Sequence, residues 1–237
     1  MVSSFHLVTF RRPKLLPPGR SPANIQGLRF WKALSTAKDT FLSPDRSHLG
    51  LLRPNLREWG FFGVWDSETD VDRFLADSPV AETWRDASTE LWSVWLKPTR
   101  ARGEWKGVKA LDGVAQNGLP RAAPAAFITR LDLPLRAVGA MWLSAVPRLA
   151  PQLPSVEGLL VGVPIMDRPY FQPMTFSIWR SLDEAMSFAY RGAPHPQAVG
   201  RLRKTRKDIA SRFSSAGFDP YKTDGTWKGV NPLLTEH

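Results

Sequence analysis

Cysteine is absent from the 237-residue chain, which excludes disulfide frameworks, cysteine-type zinc sites, iron–sulfur clusters and thiolate-ligated haem built from this chain alone. Histidine is nearly as scarce. There are four, at positions 6, 48, 195 and 237, with no His-x-x-x-His spacing to support a multi-histidine zinc cage. A metal held mostly by its own macrocycle needs only one. No apolar run has membrane-spanning length, and the start, Met1-Val-Ser-Ser-Phe-His-Leu7, lacks the charged and long apolar regions of a secretory signal. A cytoplasmic protein is expected, with peripheral contact to a membrane surface left open. There is also no glycine-rich dinucleotide loop and no credible Ser-His-Asp set.

Basic residues and aromatics are plentiful. Lys and Arg exceed Asp and Glu by 32 to 22, a formal charge of +10, which favours anionic partners: an acidic protein, an anionic surface or a carboxylate-bearing ligand. No recognition motif for nucleic acid accompanies the charge, so nucleic acid is not an expected partner. The 10 Trp and 13 Phe fall largely in predicted strands. They supply either a bulky core or an aromatic-lined pocket for a flat or long apolar ligand.

The chain reads as the same pattern twice. Strands are predicted over Phe5–Phe10, Leu28–Leu34, Glu58–Trp65 and Leu91–Lys97, then again over Ala126–Leu131, Leu159–Ile165 and around Met174–Trp179. Helices are predicted after Ser67, around Ala81–Ser88, over Leu135–Val146 and after Ser181. A shift of 114 places Trp65 on Trp179, Ser67 on Ser181, Asp70 on Glu184 and Phe74 on Phe188. Both halves end alike, Glu104-Trp-Lys-Gly107 against Thr226-Trp-Lys-Gly229. The expectation is an α+β chain of two tandem, duplicated ferredoxin-like units, residues 1–107 and 125–237 around a linker at 108–124. Two such units would form, within one chain, the α/β barrel usually made by a dimer.

The most informative stretch runs from Met174 to Lys207. Thr175, Ser177 and Trp179 alternate with Met174, Phe176 and Ile178, as on a strand with two differently treated faces. Ser181 and Glu184 are spaced as a capping box, in which the glutamate reaches back to the cap's N–H. Gly192 and Pro194 end that helix, and Pro196 suits the first turn of the next. His195 therefore sits at a helix start, on the face of Val199 and Leu202, while Arg201, Arg203, Lys204, Arg206 and Lys207 make most of the remaining surface basic. His195 has no counterpart in the first half, where Val80 stands.

Through Thr175-Phe-Ser-Ile-Trp-Arg180, Phe188-Ala-Tyr-Arg191, Pro194-His195, Gly27-Leu-Arg-Phe-Trp-Lys32, Pro54-Asn55, Trp92–Pro98 and Gly158-Leu-Leu160, the chain resembles the spheroidene monooxygenase family of haem-containing carotenoid oxygenases. The resemblance implies the two-unit barrel, haem b, O2, a hydrophobic substrate such as an acyclic carotenoid, and an acidic electron donor such as ferredoxin. It implies His195 as the iron ligand, with Arg191 and Arg203 as partners for the haem propionates and Tyr190 as a further cofactor contact. The stretch Ser35-Thr-Ala-Lys-Asp-Thr40 has no glycine where the family has a glycine-rich turn, a departure that bears on the substrate more than on the chemistry. Two other readings stay open: a cofactor-independent monooxygenase on the same barrel, and a non-catalytic binder of haem or another hydrophobic ligand. Oligomeric state and distal residues are not legible.

Overall fold

The structure is a computed structural model, and it describes residues 1–38, 54–105, 108–114, 118–135, 138, 156–167, 172–190 and 213–234. The elements in order are β1 (Val2–Phe10), β2 (Leu28–Ala37), β3 (Pro54–Trp65), α1 (Glu68–Asp77), α2 (Pro79–Ala87), β4 (Ser88–Arg102), β5 (Ala125–Leu131), β6 (Leu159–Met166), β7 (Pro173–Trp179), α3 (Leu182–Tyr190) and β8 (Phe213–Gly225). Of the helix expected over Leu135–Val146 the described residues include Leu135 and Val138, both helical, and the stretch from Arg191 to Arg212 lies outside them.

The eight strands close into one barrel in the order β1-β3-β2-β6-β7-β5-β8-β4. Every pairing among them is antiparallel. Each half contributes its strands in the same order, fourth, first, third, second, which puts the first and third strands in the middle of each four-stranded sheet. The halves meet at two seams of very different length. β4 and β8 run together from Trp92↔Gly225 to Arg102↔Ser215, whereas among the described residues β2 and β6 share Ser35↔Met166 and Thr36↔Ile165.

Period-2 alternation sends one set of side chains into the barrel. Phe5, Leu34, Phe62, Val94, Ile128, Val163, Phe176 and Phe218, one from each strand, belong to a single buried cluster. Phe5 and Phe176 stack across the interior with ring centroids 3.9 Å apart. The interior is a packed core, and its aromatics account for much of the Phe and Trp excess. A second cluster lies outside the first-half sheet, where Phe61, Trp65 and Trp95 meet Val71 and Phe74 of α1 and Trp84 of α2.

Local signals explain the helices. Ser67 Oγ accepts from Asp70 N at 3.3 Å and donates to its carboxylate at 2.6 Å. Ser78 both ends α1 and caps α2, with Pro79 in the first turn. In the second half Ser181 Oγ accepts from Glu184 N at 3.2 Å and donates to Glu184 Oε2 at 3.0 Å. The glutamate does not reach the cap's own N–H as the sequence suggests, because Arg180 engages its other oxygen. Each half also uses one left-handed glycine against this acidic residue. A Cβ on Gly27 (φ +74°) would lie 2.3 Å from Asp70 Cγ, and one on Gly158 (φ +80°) 2.3 Å from Glu184 Cδ.

Candidate active site

The two halves share register but not side chains on their outer faces. On the first half, one cross-strand row is His6, Phe61 and Ala33, and the next is Ser4, Gly63 and Trp31. At the same register positions the second half has Thr129, Thr175 and Pro164, then Phe127, Ser177 and Gly162. In the first half Trp31 stacks on Trp84 and Phe61, with centroids 5.9 and 5.8 Å apart, and fills the space beneath α1 and α2. The second-half rows project little volume apart from Phe127. Thr129, Thr175 and Ser177 are partly buried, and the two threonine hydroxyls bond to each other. Trp179, with its indole N–H on Ser177 Oγ at 3.1 Å, packs against Phe188 of α3 at 5.1 Å.

Tyr190, the last residue of α3, is 69% exposed, so it belongs to the rim of this face and not to the core. His195, Arg191 and Arg203 lie outside the described residues, as do His48, His237 and the other basic residues from Arg201 to Lys207. Among the described residues no three His, Asp or Glu side chains group as metal ligands, and no helix is long and apolar enough to cross a membrane.

His6 is fully buried between Ser93 Oγ (2.8 Å) and Ser4 Oγ (2.8 Å). Burial lowers its pKa to about 3, so the ring is neutral and serves the packing of the first-half outer face. The alternation of β1 shows which face His6 takes, but not the two serines that hold it.

The two barrel ends carry functional groups that the sequence hides. After β4, Trp105 forms a two-way backbone bridge with Val108, and after β8 Trp227 does the same with Val230. Each indole enters the barrel cluster and closes one end. Trp227 Nε1 donates to Glu58 Oε2 at 2.8 Å, and Glu58 is 6% exposed. Burial pushes that carboxyl above the usual range, against the opposing influence of the indole bond. At the other end Trp105 Nε1 donates to Asp167 at 3.3 Å. Here Arg130, 3% exposed, donates to the Glu104 carbonyl at 3.0 Å and to Asp132 Oδ1 at 2.6 Å. The duplicated Trp-Lys-Gly is the visible trace of these closures. Arg130 shares the inward face of Ala126 and Ile128, but nothing local in Ala125–Leu131 shows that a charged side chain is buried there.

No family model matches the chain. Three curated relatives named spheroidene monooxygenase do. The protein from Rhodobacter capsulatus is 29% identical over 189 residues, covering 78% of this chain and 75% of its own length. The one from Cereibacter sphaeroides is 26% identical over 227 residues, 91% of this chain but 64% of its own length. The one from Rubrivivax gelatinosus is 29% identical over 212 residues, 89% and 76%. The chain thus spans about two thirds to three quarters of the relatives it matches. Among solved structures, the aldoxime dehydratase OxdRE, crystallised with butyraldoxime, aligns over 98% of this chain and 84% of its own with a TM-score of 0.59 at 11% identity. A second aldoxime dehydratase gives 0.56 at 10%. These two likenesses concern the fold only. Three relatives of that name each match most of the chain, and by them the chain is similar to the spheroidene monooxygenases.

Proposed function

We propose that the chain is a haem-dependent monooxygenase that oxidises an apolar substrate, a carotenoid or another hydrophobic small molecule, with O2 and electrons from an external acidic donor such as ferredoxin. The monooxygenase reading is carried by the three relatives of that name, which match 78, 91 and 89% of the chain. The outer face of the second-half sheet is where we infer the cofactor sits. Small side chains at Gly162, Thr175 and Thr129, where the first half has Trp31, Phe61 and His6 at the corresponding positions, allow a planar ring to approach the backbone.

The residue types fit the group. His195 would be its protein ligand, since neutral imidazole binds iron and the chain has no thiolate. Arg191 and Arg203 would pair with the propionates through bidentate hydrogen bonds, and Tyr190 at the end of α3 would close the rim. Haem bound there would supply the centre at which O2 is activated. The protein's own part is to hold that group, to keep the apolar substrate beside it away from water, and to offer a basic surface to an acidic donor. The formal charge of +10 supports that last role. We also infer that residues 1–107 and 125–237 are copies of one unit joined by 108–124, a reading supported by the matching strand order, caps and left-handed glycines.

The test is a visible-spectrum titration with hemin of the wild type beside His195→Ala. A stoichiometric Soret band that the substitution shifts or abolishes is expected, followed by oxygenated product from an acyclic carotenoid given reduced ferredoxin and O2. Absence of a specific band in the wild type overturns the haem reading.

A further inference from the structure

The barrel end closed by Trp105 holds a cavity of about 330 Å³, lined on one side by Phe62, Ile128 and Trp105, on another by the 108–114 turn, and on a third by Ser214–Ala216. That volume lies in the lower part of the roughly 300–1,000 Å³ range of small-molecule sites. Arg130 is part of the wall. Its two terminal nitrogens are engaged by the Glu104 carbonyl and Asp132, and its ring neighbour is Trp105, 5.9 Å from the guanidinium carbon. Its third nitrogen, Nε, has no hydrogen-bond partner among the described residues although the residue is 3% exposed.

A buried guanidinium donor left unpaired is costly, and such groups recur where a ligand completes them. The cationic side chains of Arg102 and Lys109 also line the cavity, against the acidic side chains of Glu104 and Asp112. With Arg130 and its partner Asp132 the site carries three cations and three acids, so it is the aimed donor Nε–H and not the net charge that favours an anionic acceptor. The opposite end has no equivalent. By register Leu7 takes the place of Arg130, since Leu7 pairs with Gly60 as Arg130 pairs with Met174, and the polar group there is the acid Glu58.

We propose that this end of the barrel binds a small carboxylate with an apolar body, its oxygen accepting from Arg130 Nε–H and its body lying against Phe62, Ile128 and Trp105. The site is separate from the outer-face cofactor site and stands whether or not haem binds. A compact aromatic acid has the size and polarity to fill it, while a carotenoid is far too long to be contained in it.

The probe is benzoate, titrated calorimetrically into the full chain beside benzamide, its neutral counterpart. Benzoate is expected to bind about tenfold or more tighter than benzamide, because a charged acceptor strengthens the bond to a guanidinium. Arg130→Lys, which keeps the charge and loses Nε–H, is expected to weaken benzoate by a similar factor. Ala110→Trp, which fills the cavity from the turn that lines it, is expected to abolish binding, and His195→Ala is expected to leave it unchanged. Equal affinity for the two probes, no binding of benzoate, binding that survives Ala110→Trp, or binding lost in His195→Ala would each overturn the proposal. Should Arg130→Lys fail to fold, the two probes and Ala110→Trp decide it alone.

Discussion

The Trp227–Glu58 contact gives a quantitative test of how the barrel end is closed. Replacing Trp227 by Phe keeps a ring in the end and removes one donor, the indole N–H held 2.8 Å from Glu58 Oε2. The donor and acceptor residues are 4% and 6% exposed, so water does not replace the lost bond cheaply. A hydrogen bond to a charged group contributes about 1.5–3 kcal/mol, and one between neutral groups about 0.5–1.5. Trp227→Phe should therefore cost about 1.5–3 kcal/mol at a pH high enough to ionise Glu58, in addition to a packing loss, but only about 0.5–1.5 in a Glu58→Gln background. The packing loss is common to both backgrounds and cancels in the cycle, leaving a coupling of about 1 kcal/mol.

The pH dependence has a definite sign. Burial raises the folded-state pKa of Glu58 above its ordinary value of 4.5, so between those two values the folded state binds more protons than the unfolded state. Stability from this group is then greatest below the unfolded value and falls as pH rises through the window. Trp227→Phe removes an influence that lowers the pKa, so its cost should grow with pH above 4.5. Urea unfolding followed by far-ultraviolet circular dichroism at several pH values measures both effects. A coupling below about 0.3 kcal/mol, the scatter expected of independent sites, or a cost that does not change with pH, would refute the reasoning.

Gly158→Ala forces an L side chain into φ +80° and against Glu184; a loss of about 1–2 kcal/mol is expected from the backbone alone, read by chemical denaturation. His6, held neutral with a pKa of about 3, contributes stability that is complete above the unfolded value of 6.5 and is lost as pH falls toward 3. His6→Asn should flatten the unfolding midpoint between pH 6.5 and 5, and an unchanged slope would count against that contribution. Thr175→Phe copies the first-half residue of the same register and should abolish the hemin band at a stability cost of no more than about 1–3 kcal/mol; an undiminished band would move the cofactor off this face.

The sequence carries the strands and caps because those are decided locally. Thr175 to Trp179 alternates by polarity, and Ser67, Ser78 and Ser181 each stand three residues before the N–H they cap. The matched Trp-Lys-Gly ends are equally visible. What they do is not, because Trp105 and Trp227 gain meaning only when the strands close and each ring finds the end of the barrel. Strand length is underestimated for the same reason. β4 extends from Ser88 to Arg102, well beyond Leu91–Lys97, because β8 pairs with its polar second half. The contrast between Trp31 and Gly162, or between Leu7 and Arg130, requires pairing register between distant strands. No window of sequence holds that information, and Arg130 is buried by residues 26 and 85 positions away, Glu104 and Ser215.

The unequal seams give the barrel a hinge side and a clasp side. Along β4 and β8 the halves are joined over the full run from Trp92 to Arg102, further secured from outside by Lys222, whose ammonium bridges Glu68 and Asp72 of α1 at 3.0 and 2.9 Å and lies over Trp95. Along β2 and β6, among the described residues, two register pairs join the halves. A closed ring of strands opens first where the fewest hydrogen bonds must break. If the ring opens, parting Ser35 and Thr36 from Met166 and Ile165 is the expected first step toward the Phe5–Phe176 stack.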